Sequence, residues 1–285
     1  MTIGWVENNA THSARWQSEA GVKPASRVLV ADDEINADTA YRLACEGTAI
    51  LWRGDFQNAR QLLQAIARRC DQKKSKKKQA VLPLTEQFNL HRLTQAQRAR
   101  ILGMLLIEVG TDYVINLKRA PDIQQACIET YGTFSEPFVV SLRELQALVG
   151  AHEWRKKGVP IAALGANIHP HYGVFSPVRG EYLDLIASAP LPSTELAFDI
   201  GTGTGVIAAI LAKRGVKKVI ATDQDPRALA CAKENISQLG LTSQIALEQT
   251  DMFPSGKAPL IVCNPPWLPA KPSSPIEYAI YDPEN

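Results

Sequence analysis

Paired cysteines are missing from this chain of 285 residues. Its five cysteines, Cys45, Cys70, Cys127, Cys231 and Cys263, are scattered, odd in number and nowhere spaced as CxxC. That excludes a disulfide framework and a small zinc module, and it points to a reducing, cytoplasmic setting. No apolar run approaches the roughly 20 residues that a membrane-spanning helix needs. Residues 1–30 lack the basic-then-apolar order of a secretory leader. Charge of one sign is not in excess either: 31 Lys and Arg against 29 Asp and Glu leave +2, so the whole molecule is no polycation. The balance is uneven along the chain. Residues 1–180 hold 23 basic against 17 acidic side chains, and residues 181–285 hold 8 against 12. A basic front half suits nucleic acid binding through phosphate attraction. One lysine cluster on an ordinary surface accounts for it equally well.

Apolar spacing is helical from Ala37 to about Arg69, through Leu43, Ile50, Leu51, Phe56, Leu62, Leu63 and Ile66. Gly54-Asp55 divides that stretch into two predicted helices, with Asp55 as N-cap of the second. The run from Lys73 to Lys78 cannot be buried and reads as a solvated loop, a candidate RNA contact. Further helices are predicted over Thr94–Glu108, from Pro121 to Ala126 and over Ser141–Val149. Val114-Ile115 and Phe138-Val139-Val140 are strand candidates, and residues 1–35 read as mixed, polar and partly ordered. Helix dominates, so residues 1–164 are expected to form a mainly helical N-terminal domain. His169 and His171 lie two apart with no third ligand nearby, which favours structural roles and no metal site.

The character changes near Gly165. Pro170, Gly173, Pro177 and Gly180 mark a linker, and Glu181–Ala187 a short helix ended by Pro190 and Pro192. Apolar strands at Leu196–Ile200, Lys218–Thr222, Ser243–Leu247 and Leu260–Cys263 then alternate with helices at Val206–Arg214 and Pro226–Leu239. Asp225 is the natural N-cap of the second helix. This is the rhythm of an α/β, doubly wound parallel sheet over residues 165–285. Gly201, Gly203 and Gly205, with Thr202 among them, occupy the turn after the first strand. Glycine there permits positive φ and close approach of a ligand, and the helix beyond adds partial positive charge. The spacing is GxGxG rather than the GxGxxG of dinucleotide binders. Asp223, followed by Gln224, ends the second strand, where a carboxylate can accept from both ribose hydroxyls of a nucleoside. Asp251, followed by Met252, comes after the third, within reach of an adenine amino group. Asp199 either steadies the turn or meets a cationic amino group.

Asn264-Pro265-Pro266-Trp267 ends the fourth strand. An amide or nucleobase NH2 is a poor nucleophile because its lone pair is delocalised. The Asn264 side-chain oxygen and the Pro265 carbonyl can each accept one of its hydrogens. Together they favour the charge that develops as the nitrogen reacts. Successive prolines stiffen the loop, and Trp267 offers a flat face for stacking a planar group, worth about 1–3 kcal/mol for a base.

The order of glycine and acidic positions resembles the class I S-adenosylmethionine-dependent methyltransferases, from about residue 172 to 285. The resemblance implies that Gly201, Gly203 and Gly205 wrap the methionine portion, that Asp223 binds ribose and that Asp251 with Met252 binds adenine. Asn264-Pro265-Pro266-Trp267 is similar to the NPPY motif of enzymes that methylate glutamine amides or exocyclic amines of adenine and guanine. Phe175-Ser-Pro-Val-Arg-Gly-Glu181 resembles the segment preceding the glycine motif in HemK-like glutamine methyltransferases. Tyr172-Gly-Val-Phe-Ser176 is equally similar to guanine-N2 ribosomal RNA methyltransferases of the "small" methyltransferase type. The implied activity is N-methylation, with S-adenosylmethionine as donor and S-adenosylhomocysteine as product. The implied partner is a release factor, a ribosomal protein, RNA or DNA, selected by the N-terminal domain. The chain stops at Asn285 with fewer strands than that fold carries, so the domain is expected to be incomplete at its C-terminus. A non-catalytic module that binds cofactor or RNA is the alternative of another class. A nicotinamide oxidoreductase is disfavoured by the absent GxGxxG and the presence of NPPW.

Overall fold

Burial alternates along Thr2–Glu7, with Ile3 and Trp5 inside and their neighbours outside, as expected of a strand with one wet face. This strand, β1, pairs antiparallel with β2 (Ala10–Trp16). Asn8 and Asn9 turn the hairpin at φ 53° and 62°, the left-handed values of a two-residue turn that matches strand twist. The computed structural model describes residues 1–72, 83–133, 136–178, 180–266, 268–270, 277 and 279–282. The lysine run at 73–78, Arg179 and Trp267 lie outside the described residues. The chain divides into two compact units, Met1–Val149 and Gly150–Asn285. The division expected after residue 164 therefore falls fifteen residues earlier.

The first unit continues with β3 (Arg27–Ala31), α1 (Ala37–Cys45), β4 (Thr48–Trp52), α2 (Phe56–Gln72), α3 (Leu84–Leu102), β5 (Leu105–Val109), α4 (Gln124–Tyr131) and β6 (Phe138–Ser141). The helix α5 (Leu142–Lys157) then carries the chain onward. Its six strands form one mixed sheet in the order β1-β2-β6-β5-β4-β3. Ile3, Trp5, Ala49, Leu51, Leu106 and Val139 share a core on it. The expectation of a mainly helical domain is corrected here. The helices are present, but they accompany a sheet whose interior strands β4 and β5 are almost wholly buried. Strands buried on both faces lose the period-2 alternation and read like buried helix. Residues 1–35, expected to be only partly ordered, supply three of the strands, and Val114-Ile115 lies outside every strand. Asp55 caps α2 as expected: its Oδ1 accepts from Gln57 N–H at 2.8 Å.

The second unit opens with a short antiparallel pair, β7 (Val159–Ile161) and β8 (Ala166–Ile168), followed by α6 (Glu181–Ser188). Then come β9 (Leu196–Ile200), α7 (Val206–Lys213), β10 (Lys218–Asp223), α8 (Pro226–Gln238), β11 (Ile245–Gln249) and β12 (Leu260–Cys263). A two-residue parallel pair, β13 (Leu268–Pro269) and β14 (Tyr281–Asp282), ends it. Strands β9 to β12 form one parallel sheet ordered β11-β10-β9-β12. The α7 stripe Val206–Ala212 is buried all round and packs with Ala197, Val219, Ala221, Ile236 and Ile245. Burying each larger aliphatic of that set is worth about 1.5–3 kcal/mol. From β9 the sheet grows outward through β10 to β11, then crosses to the other side of β9 for β12. The reversal makes the carboxyl ends of β9 and β12 the switch point of the sheet, the place where open α/β sheets take their ligands. Among the described residues no helix is long and apolar enough to cross a membrane.

Candidate functional site

Polar burial in this protein is concentrated at one turn. Asp199, Thr202, Thr204, Thr222 and Asn235 are the buried polar side chains among the described residues, each at most 4% exposed. All five belong to the turn after β9 or to the elements against it. Burying polar groups is costly unless they are paired, so their gathering marks a place where geometry is held for a purpose other than packing.

The turn is built from Asp199 upward. Its Oδ2 accepts from Thr202 Oγ1 at 2.6 Å and from Ala208 N–H, in the first turn of α7, at 3.0 Å. Asp199 thus closes the turn and caps the helix with one oxygen. Its other oxygen, Oδ1, is buried without a hydrogen-bond partner. Burial pushes this carboxyl up to about 6; the nearby Asp223 charge adds to the rise, and the bonds from Thr202 and Ala208 oppose it. Gly201, Gly203 and Gly205 stand at φ +70°, +54° and +80°. A Cβ added at Gly201 or Gly203 would meet nothing within 4 Å, so that side of the turn is open. A Cβ at Gly205 would come within 3.2 Å of Ala232 Cα, because α8 packs directly against the turn there.

Asp223, at the end of β10, reaches across to the same turn. Its Oδ2 accepts from Gly203 N–H at 2.9 Å and its Oδ1 from Asp225 N–H at 3.0 Å. Each carboxylate oxygen keeps a second lone pair for a hydroxyl. Burial raises this carboxyl too, against the pull of its backbone N–H bonds. Asp225 is the α8 N-cap, accepting from Arg227 N–H at 2.8 Å. Gln224 lends its carbonyl to the Gln249 side chain at 3.2 Å. Asp251 and Met252 are exposed after β11, and the Met252 carbonyl accepts from Thr222 Oγ1 at 2.8 Å, which ties them to β10.

Cys263 is paired with Ile200 in the sheet register, so Asn264 and Gly201 leave the sheet from adjacent positions. Asn264 and Pro265 are exposed, and Pro266 is half-buried. The predicted residues Asp199, Gly201, Thr202, Gly203, Gly205, Asp223, Gln224 and Asn264 therefore gather at one edge of one sheet. His169 and His171 do not join them: His169 Nδ1 contacts the Arg155 carbonyl at 2.6 Å and His171 Nε2 contacts Glu234 Oε2 at 2.7 Å. Sequence reasoning missed Thr204, Thr222 and Asn235. Asn235 had a readable signal, since it interrupts the apolar stripe Ala228, Cys231, Ala232, Ile236 of α8.

Residues 166–275 match the family model of the methyltransferase small domain. A release factor glutamine methyltransferase of Cereibacter sphaeroides is 41% identical over 95 residues, covering 32% of this chain and 34% of that protein. A Methanocaldococcus jannaschii protein, provisionally named a protein N5-glutamine methyltransferase, is 31% identical over 121 residues, 42% of this chain and 59% of that one. A ribosomal protein L11 methyltransferase of Geobacter metallireducens is 30% identical over 149 residues, 45% of this chain and 48% of that one. The chain thus spans between a third and three-fifths of the length of these relatives. Residues 166–275 are thus similar to the methyltransferase small domain, in keeping with the methyltransferase names of these relatives.

Proposed function

We propose that this chain binds S-adenosylmethionine at the turn after β9 and methylates the side-chain amide nitrogen of a protein glutamine. The observation that carries the reading is the buried, unpartnered Asp199 Oδ1 beside a glycine turn with an open side. That pair fits a ligand with an ammonium group and an extended chain lying close to backbone. Gly201, Thr202, Gly203 and Gly205 would hold the methionine portion. Asp223, with lone pairs to spare, would accept the ribose hydroxyls, with Gln224 beside it. Asp251 and Met252 would border the adenine. When bound, the cofactor supplies an electrophilic sulfonium methyl.

The protein's own part is orientation. Asn264 Oδ1 and the Pro265 carbonyl accept the two hydrogens of the acceptor NH2 and turn its lone pair outward. Pro265 and Pro266 fix the direction of that carbonyl. One proton leaves the nitrogen as it gains the methyl, and its acidity in that state lets solvent take it. Residues 1–149 would select the acceptor. The names of the relatives support glutamine. The excess of basic residues in 1–180 supports RNA as a second acceptor to be tried.

The test is transfer of labelled methyl to a release factor, to the same factor with its acceptor glutamine changed to alanine, and to ribosomal RNA. Label on the first alone is expected. Asn264→Ala is expected to lower turnover by about a hundredfold, the usual size of a lost transition-state hydrogen bond, with cofactor affinity nearly unchanged. Asp223→Ala is expected to weaken cofactor affinity at least about tenfold. Label on RNA alone would overturn the glutamine assignment, and wild-type protein that binds no cofactor would overturn the whole reading.

A further inference from the structure

One side chain on the buried face of α8 can hydrogen-bond along its length in two directions. Asn235 is 1% exposed, set among Ala228, Cys231, Ala232 and Ile236. Its Oδ1 accepts from His169 N–H at 2.8 Å, and its Nδ2 donates to the Thr204 carbonyl at 3.0 Å. Thr204 stands between Gly203 and Gly205. A single rigid, planar carboxamide therefore joins the glycine turn to the stretch around residue 169.

That stretch is fastened to α8 by neighbouring contacts as well. His171 N–H meets Cys231 Sγ at 3.4 Å, and Glu234 Oε2 takes both His171 Nε2 at 2.7 Å and Arg155 Nη2 at 2.6 Å. The Arg227 guanidinium lies 6.0 Å from the Tyr172 ring centre. These contacts hold residues 169–172 to the helix. Asn235 in addition grips the turn. α8 also packs closely against Gly205, so Thr204, through its carbonyl, and Gly205 both meet this helix. At Gly201 and Gly203, by contrast, an added Cβ would meet nothing within 4 Å.

We infer that Asn235 is a positioning residue for the amino-acid end of the cofactor, and that its amide couples the set of the glycine turn to residues 169–172. The inference rests on the cofactor reading above. A packing role alone would affect every ligand of the pocket alike. A positioning role at Thr204 affects the methionine end and spares the nucleoside end, which Asp223 serves.

The experiment compares S-adenosylhomocysteine with 5′-methylthioadenosine, which keeps the nucleoside and lacks the amino-acid end, by calorimetry on wild-type protein, Asn235→Asp and Asn235→Ser. Asp keeps the acceptor for His169 and turns the donor to Thr204 into a repelling oxygen. Asn235→Asp is expected to weaken S-adenosylhomocysteine about tenfold or more, the cost of one lost buried hydrogen bond, and 5′-methylthioadenosine less than about twofold. Equal weakening of both ligands, or of neither, overturns the inference and leaves the cofactor reading intact. Wild-type protein that binds neither ligand overturns both. Should Asn235→Asp not fold, Asn235→Ser is measured in the same way. Should neither fold, hydrogen exchange on wild-type protein decides. S-adenosylhomocysteine is then expected to slow exchange of the His169 amide several-fold, and unchanged exchange overturns the coupling.

Discussion

Asp199 is a carboxyl with two jobs and one proton. Oδ2 holds Thr202 and the start of α7, while Oδ1 is buried without a partner, and burial pushes the group up to about 6. A carboxyl raised on folding favours its protonated form. Its contribution to stability is complete below the ordinary value of 3.8 and is lost as pH rises through about 6. A ligand ammonium at Oδ1 favours the ionised form instead. Affinity for S-adenosylhomocysteine is therefore expected to rise between pH 5 and pH 7, with a midpoint near 6. Asn at position 199 keeps the shape and removes the titration, so D199N is expected to bind weakly with a flat profile. Calorimetry across that range checks it, and a flat wild-type profile would sink the role given to Oδ1. At this scale the sequence was legible where a residue does what its local context asks. Asp225 and Asp55 cap their helices as their positions predict. It was less legible where a residue serves a neighbour in space. Asp223 stood out as an acidic residue ending its strand, but its bond to Gly203 N–H, twenty residues away, was not readable.

At the scale of elements, the glycines of the turn separate packing from ligand access. Gly205→Ala combines strain at φ +80° with a Cβ only 3.2 Å from the α8 backbone, so α7 and α8 must move apart. A loss of about 2–4 kcal/mol of unfolding free energy is expected. Gly201→Ala has open space around the new Cβ and is charged only for φ +70°, about 1–2 kcal/mol. It is expected to lose cofactor affinity instead. Urea unfolding with and without S-adenosylhomocysteine distinguishes them, and an equal stability loss in the two variants would contradict the packing argument. The same scale explains which elements could be read. Strands β9, β10 and β12 are short apolar runs between glycine, proline or aspartate, and α8 has a clear cap and stripe. In the first unit, the Ile50-Leu51 pair of β4 continued the helical spacing of α1, and Leu105–Val109 continued that of α3. Gly47 at φ +80° and Gly103 at the α3 C-cap were the signals of a break. The β1–β2 hairpin, in a stretch read as only partly ordered, had the Asn8-Asn9 turn and the alternation of Ile3 and Trp5 as its signals. Each is a brief pattern that polar surroundings hide.

Across the whole molecule, Glu7 in the first unit and Asp199 in the second answer acid in opposite senses. In the first, Arg53 ties distant strands. It holds both Glu7 oxygens at 2.7 and 2.9 Å and Glu108 at 2.6 Å, with its guanidinium 5.9 Å from the Trp5 ring centre. Hydrogen bonding to Arg53, aided by Trp5 Nε1, holds the Glu7 carboxyl down to about 2, although burial opposes it. A carboxyl lowered on folding contributes stability that is complete above its ordinary value of 4.5 and is lost as pH falls toward 2. In the second unit, the Asp199 contribution instead grows on protonation between about 6 and 3.8. Glu7→Gln is therefore expected to cost the first unit about 1 kcal/mol at pH 7, since the pair is partly screened by solvent. That deficit should shrink steadily below pH 4.5, while the second unit is unaffected by the substitution. Hydrogen exchange at pH 7, 5 and 3, followed separately in peptides of β4–β5 and of β9–β10, measures each unit in the intact chain. A Glu7→Gln deficit that stays constant down to pH 3 would show that Arg53 holds β1 by its contact with Trp5 rather than by charge.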